Sequence, residues 1–108
     1  MMKIRQKTVS SYRTARVRKA LFEAIATLDS RNEVAAFLED LCTPAELEAM
    51  IDRWTVVPYL QQGSSYREIH KLTGVSLVTI GRVAKALQFG AGGYQLLLDR
   101  LASERGSH

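Results

Sequence analysis

One short segment, from Ser65 to Leu87, contains side chains whose types and spacing suit recognition of a polyanion. Arg82 can pair with the edge of a guanine or with a phosphate, and Thr79 can hydrogen-bond to either. Val78 is apolar, and an apolar side chain on an outer helix face can contact the methyl group of thymine. We predict that the outward-facing residues of this segment are Ser76, Leu77, Val78, Thr79, Gly81, Arg82 and Lys85.

Two short helices joined by a glycine turn are predicted to position these side chains. Ser65 and Glu68 form a capping box that opens the first helix. Gly74 suits a sharp turn because glycine tolerates positive φ, and Ser76 can cap the second helix. This pattern is typical of a helix-turn-helix, here over about residues 65–88. The apolar positions expected to face inward are Ile69, Leu72, Val75, Ile80, Val83 and Leu87.

The rest of the chain also favours helices. Apolar residues recur at spacings of three and four, which predicts an all-α fold of five or six helices. The first apolar stripe follows Ser11, and the second is opened by Ser30. Thr43 and Pro44 open a third helix, which we expect to bend at Pro58.

The length of 108 residues leaves room for one compact domain. We predict a basic, flexible arm over residues 1–9, a helical domain over 10–103 and a tail over 104–108. No stretch reaches the roughly 20 apolar residues of a membrane span, and no apolar region of a secretory signal follows the basic start. The single cysteine, Cys42, cannot form an intrachain disulfide, so the reducing cytoplasm is the expected compartment.

Charge is segregated along the chain. Residues 1–20 contain seven basic and no acidic residues, whereas residues 23–52 contain eight acidic residues and one basic residue. Residues 67–85 are basic again, with four basic residues and one acidic residue. This distribution predicts one face that binds a polyanion and one that avoids it. For the basic arm alone, a merely solvated charged surface remains the alternative.

Nothing in the sequence indicates catalysis or a metal site. The acidic residues form no recognisable acid–base pair, and Cys42 has no base partner signalled nearby. No second histidine, carboxylate pair or thiol lies near His70 in the sequence. We expect His70 to be an exposed helix residue that can approach a phosphate. Gly90–Gly93 lacks the Lys and Ser/Thr of a phosphate-binding loop, and it is predicted to terminate a helix. Trp54 is predicted to anchor a dimer core.

From Leu41 to Leu101 the chain resembles the Trp repressor superfamily, and in particular its YerC/YecD-type branch. The matching segments are residues 41–47, 66–69, 73–83 and 87–94. The resemblance implies an interlocked, all-helical homodimer that binds operator DNA through two helix-turn-helix motifs. We therefore predict a sequence-specific transcriptional regulator, with repression favoured by the resemblance. The predicted DNA-binding residues are Tyr66, Arg67, His70, Ser76, Leu77, Val78, Thr79, Arg82 and Lys85.

The resemblance also raises the question of an effector. In Trp repressors two arginines enclose the indole ring of L-tryptophan. Arg53 and Arg82 stand at the matching positions, and Thr43 matches a residue of the pocket wall. However, Val83 replaces a glycine and Ala86 replaces a serine of the tryptophan-responsive relatives, which removes space and a polar partner. We therefore predict that L-tryptophan is not the corepressor, and no cofactor is expected.

Two other functions remain open at this stage. A basic helical module that docks an acidic protein partner would have a similar charge pattern. RNA binding is less favoured, because the chain lacks strand-borne aromatic residues on which bases could stack.

Overall fold

A computed structural model describes the backbone of residues 2–106 and the side chains of residues 14–105. No strand occurs between residues 2 and 106, which confirms the predicted all-α fold. The helices of this part of the chain are α1 (Met2–Ile25), α2 (Arg31–Leu41), α3 (Pro44–Gln61), α4 (Tyr66–Thr73), α5 (Leu77–Phe89) and α6 (Gly93–Gly106).

The first and last helices extend beyond the apolar stripes that predicted them. Helix α1 begins at Met2 and not after Ser11, since residues 2–9 contain no glycine or proline that would stop it. The flexibility of the arm at residues 1–9 stays a prediction. Helix α6 continues to Gly106, and residues 107–108 of the predicted tail lie outside the described part of the chain.

The chain divides into two compact units, Met1–Thr43 and Pro44–His108. In the first unit, no side chain between residues 14 and 43 is buried. Helix α2 is opened by Ser30, whose Oγ accepts the backbone N–H of Glu33 at 3.1 Å. The Glu33 carboxylate accepts the N–H of Asp29 at 3.0 Å in return. Helix α2 thus has a well-capped start. The first unit nevertheless keeps apolar side chains in contact with solvent, namely Val17, Leu21, Phe22, Ile25, Val34 and Leu41.

The second unit contains the hydrophobic core of the described residues. Helices α3, α4 and α5 and the turn before α5 all contribute to it. Helix α6 packs Tyr94 and Leu98 against this core. The ring of Tyr94 stacks on Trp54 of α3, with ring centroids 6.3 Å apart and an interplanar angle of 27°. The buried residues are Val56, Val57, Ile69, Val75, Ile80 and Val83.

Helix α3 passes through Pro58 and ends at Gln61. The N–H of Gly63 donates to the carbonyl of Leu60 at 3.1 Å, and the N–H of Ser64 donates to that of Tyr59 at 3.1 Å. These two bonds form a Schellman motif, which satisfies the last carbonyls of the helix. The prediction that the helix ends near Gly63 is confirmed.

The backbone at Gly90, directly after α5, lies so close to the carbonyl group of Ala86 that only glycine fits there. Its N–H donates to the carbonyl of Ala86 at 2.8 Å, and a Cβ at Gly90 would lie 2.4 Å from that carbonyl oxygen. We expect Gly90→Ala to lower the free energy of unfolding by about 1–3 kcal/mol, because the backbone must shift. Urea unfolding, followed by the fluorescence of the single tryptophan, measures the change.

Gly93 provides the matched control for this prediction. It lies at the start of α6, and a Cβ there would meet nothing within 4 Å. Gly93→Ala should therefore leave the free energy of unfolding unchanged or slightly raised. Equal losses in the two variants would contradict the role assigned to Gly90.

Candidate nucleic-acid interface

The turn between α4 and α5 is closed by local hydrogen bonds. Gly74 adopts the left-handed conformation, with φ 78°, and its N–H donates to the carbonyl of His70 at 2.8 Å. The Thr73 hydroxyl donates to the carbonyl of Ile69 at 2.7 Å and accepts the N–H of Val75 at 3.1 Å. The predicted glycine turn is thus confirmed, and Thr73 adds two bonds that fix the direction in which the chain leaves it.

His70 has a structural role that its sequence context did not indicate. Its Nδ1 lies 2.7 Å from the carbonyl oxygen of Val75. A carbonyl oxygen can only accept, so Nδ1 carries the proton and donates. The ring therefore bridges α4 to the residue beyond the turn, and the predicted approach of His70 to a phosphate stays a prediction.

The inner side of the motif contains most of the apolar residues predicted for it. Ile69 and Ile80 are fully buried, Val75 and Val83 are buried, and Leu87 packs partly buried against them. These five predictions are confirmed.

The prediction that Leu72 faces inward is wrong, since 63% of this residue is exposed. Helix α4 has eight residues and buries only Ile69. A residue three positions further on is rotated by about 60° from that narrow face. Thr73, four positions after Ile69, lies half-buried on the inner side instead.

Three exposed side chains form a row along the outer side of α5. Val78, Arg82 and Lys85 are exposed, and their spacing of four and three residues puts them on one face of the helix. Leu77 and Val78 keep 52% and 74% of their surface exposed. Val78 and the two cations therefore line the side of α5 that faces away from the core, and Leu77 is exposed about 100° around the helix from Val78.

The first turn of α5 is capped by a pair of hydroxyl groups. Ser76 Oγ accepts the backbone N–H of Thr79 at 3.1 Å and donates to Thr79 Oγ1 at 3.0 Å. The predicted N-cap is confirmed. These two bonds direct the hydroxyl of Ser76 at its own helix end. Ser76 is exposed as predicted, whereas Thr79, which was predicted to face outward, is half-buried.

The start of α4 lies beside α5 through an aromatic contact that the sequence pattern did not reveal. Tyr66 is 46% exposed, and a Cβ added at Gly81 would lie 4.0 Å from the Cε2 atom of Tyr66. Gly81, predicted to face outward, is consequently half-buried. Ser65 caps α4 by accepting the N–H of Glu68 at 3.1 Å. The exposed side of α4 also bears Arg67 and Lys71 alongside His70.

The residues of the predicted effector pocket belong to different units. Arg53 is half-buried in α3 and Arg82 is exposed on α5, whereas Thr43 is the last residue of the first unit. Val83 is only 1% exposed and is part of the core. An open surface depression of about 350 Å³ lies within the second unit, and neither arginine lines it. Its walls are formed by Leu60, Gln61, Gly63, Ser64, Tyr66, Ala84, Leu87, Gln88 and Gln95.

Two other features are absent from the described residues. No group of three or more His, Cys, Asp or Glu residues comes together there in a way that could hold a metal ion. No helix in the same part of the chain has the length and apolar content needed to span a membrane.

Comparisons with known proteins agree with this architecture. The family model of the Trp repressor protein matches residues 17–102. The uncharacterized protein YerC of Bacillus subtilis (strain 168) is 37% identical over 81 residues, which cover 75% of this chain and 78% of that protein.

Two crystal structures are also similar to this chain. A candidate Trp repressor from Staphylococcus aureus has a TM-score of 0.74 and 38% identity, over 80% of this chain and 86% of that one. A TrpR-like protein from Eubacterium eligens ATCC 27750 has a TM-score of 0.75 and 34% identity, over 81% of this chain and 90% of that one.

Proposed function

The chain belongs to the Trp repressor family, and from this premise we propose that it is a sequence-specific, DNA-binding transcriptional regulator that represses as a dimer. The observation that carries the proposal is the exposed row of Val78, Arg82 and Lys85 on α5. A recognition helix enters the major groove with its N-terminal residues near the base edges, while its inner side is held by the domain core. The proposed place of action is the cytoplasm.

The charge distribution supports this assignment. No acidic residue occurs in the sequence between Glu68 and Asp99, so no carboxylate of that stretch opposes the phosphate backbone. We assign Arg67 and Lys85 to phosphate contacts that set the register, with His70 and Tyr66 beside them. Thr79 and Arg82 are assigned to base edges or nearby phosphates.

We propose that a second copy of the chain buries the exposed apolar residues in a dimer interface. In the first unit, Val17 and Phe22 are each 55% exposed, and no described side chain of that unit is buried. Leu96 and Leu97 of α6 are exposed as well. Burial of such residues between two copies supplies the apolar area that a short chain lacks on its own. Sedimentation at micromolar concentration should show a dimer, and a monomer alone would contradict the proposal.

Fluorescence anisotropy with random duplex DNA tests the function. We expect a Kd of about 1–100 μM that weakens steeply between low and physiological salt. Selection from a random duplex library should then enrich a palindromic site whose halves lie about one helical turn apart. Absence of binding at low salt would instead favour a basic module that docks an acidic protein.

The basic residues at the start of the chain are proposed to add phosphate contacts without sequence preference. Deletion of residues 1–9 removes Lys3, Arg5 and Lys7. The slope of log affinity against log salt concentration should become shallower by about 0.9 for each phosphate that is no longer neutralised. The control replaces the same three residues by glutamine, which keeps the length and should give the same slope as the deletion. A slope equal to that of the intact protein would reject this role.

L-tryptophan is proposed not to be the effector. The buried side chain of Val83 belongs to the core, so it occupies volume where tryptophan-responsive relatives have glycine. Ala86 also provides no hydroxyl for the amino group of the ligand. Calorimetry at millimolar L-tryptophan should therefore give no saturable heat of binding. A saturable signal with the intact protein would contradict this prediction.

A further inference from the structure

We propose that Val78 recognises the 5-methyl group of thymine in the major groove, and that Ser76 is a positioning residue that contacts no base. The inference rests on the proposed function, because it names the chemical group that the exposed face of α5 selects.

Val78 and Leu77 are not needed to complete the core. The buried positions of α5 are Ile80 and Val83, whereas Val78 is 74% exposed. Val78 shares its helix face with Arg82 and Lys85, which are the cations assigned to DNA. An exposed apolar side chain that shares a contact face with two cations is best explained by an apolar group on the partner.

The hydroxyl of Ser76 forms its hydrogen bonds within its own helix end, which suits a positioning role. Its Oγ accepts the N–H of Thr79 at 3.1 Å and donates its proton to Thr79 Oγ1 at 3.0 Å. Ser76 could donate a hydrogen bond to a base only by giving up the bond that it donates to Thr79 Oγ1. The first turn also exposes two apolar side chains, with Leu77 52% and Val78 74% exposed.

The major groove offers a single apolar group to such a side chain. Each base pair presents a pattern of donors and acceptors there, and thymine adds its C5-methyl group. A valine cannot form hydrogen bonds, so contact with this methyl group is the discrimination that it can provide. Arg82, one helical turn further along, supplies the polar contact of the same face.

Replacement of thymine by deoxyuridine in the duplex enriched from the random library tests the inference, because only the methyl group is removed. For the intact protein, one substitution in a single half-site should lower the affinity about fourfold. For Val78→Ala, the thymine and deoxyuridine duplexes should bind equally well. The control Leu77→Ala should keep the fourfold difference. Val78→Ala must also retain the helical circular dichroism of the intact protein.

The positioning role of Ser76 is tested by comparing the DNA sites that its variants select from the random library. Ser76→Ala should lower the thermal midpoint and select the same site as the intact protein. Ser76→Thr should restore the midpoint, because threonine also caps helices. A different site selected by Ser76→Ala would overturn the positioning role.

The failure of this inference is distinguishable from that of the proposed function. If the intact protein binds no duplex, the function itself is wrong. If it binds a specific site but no deoxyuridine substitution weakens binding, the function stands and the methyl contact is wrong. If Val78→Ala keeps the fourfold difference between the thymine and deoxyuridine duplexes, Val78 is not the residue that contacts the methyl group.

Discussion

Ile69→Ala is expected to lower the free energy of unfolding by about 2–5 kcal/mol. Ile69 is fully buried and is the residue through which α4 enters the core of the second unit. Alanine removes apolar packing and leaves a cavity next to Val75 and Ile80, which are part of the same cluster. Since small domains have about 5–15 kcal/mol of stability, a large part of the total would disappear.

Leu72→Ala is the matched control on the same helix. Leu72 is 63% exposed, so its replacement should change the free energy of unfolding by less than about 0.5 kcal/mol. Urea unfolding at one protein concentration, followed by circular dichroism, compares the two variants. The sequence pattern treats the two positions alike, whereas the structure separates them. Equal losses would show that Leu72 is buried in the functional form.

Arg82→Ala should weaken binding to the selected duplex about 5- to 150-fold for each half-site at physiological salt, as expected when a bidentate pair with a base is removed. Arg82 is exposed on α5, on the same face as Val78 and Lys85. Arg100→Ala is the control, because Arg100 is an exposed cation of α6 and its removal changes the net charge equally. Anisotropy titrations compare the variants, and similar losses would indicate that only net charge matters.

Arg82→Lys then identifies the group that Arg82 contacts. Lysine keeps the charge but cannot reproduce the planar, bidentate geometry of the guanidinium group. If Arg82 contacts a guanine, the lysine variant should bind weakly and lose preference at one position of the site. Restoration of both affinity and preference would assign Arg82 to a phosphate instead.

Local signals in the sequence were sufficient to predict the helix-turn-helix. Ser65 and Ser76 cap their helices, and Gly74 forms the turn, because these effects depend on a few consecutive residues. The inward positions of α5 were predictable for a similar reason, since Ile80 and Val83 follow the helical repeat.

The features that were missed depend on the neighbours of a residue in three dimensions. Leu72 satisfies the helical repeat of α4, but Ile69 is the only residue of α4 that is buried. The contact of Tyr66 with Gly81 joins residues of two helices, and no local pattern signals it. The bond of His70 to the carbonyl of Val75 requires the turn geometry itself.

The exposed apolar residues of the first unit have a consequence for gene dosage. With two copies as the proposed active form, the amount of active regulator rises with the square of chain concentration when the protein is scarce. A modest change in synthesis then produces a larger change in occupied operators. A single protomer keeps Val17 and Phe22 exposed. We therefore expect chaperones and proteases to act on the monomer in preference to the dimer.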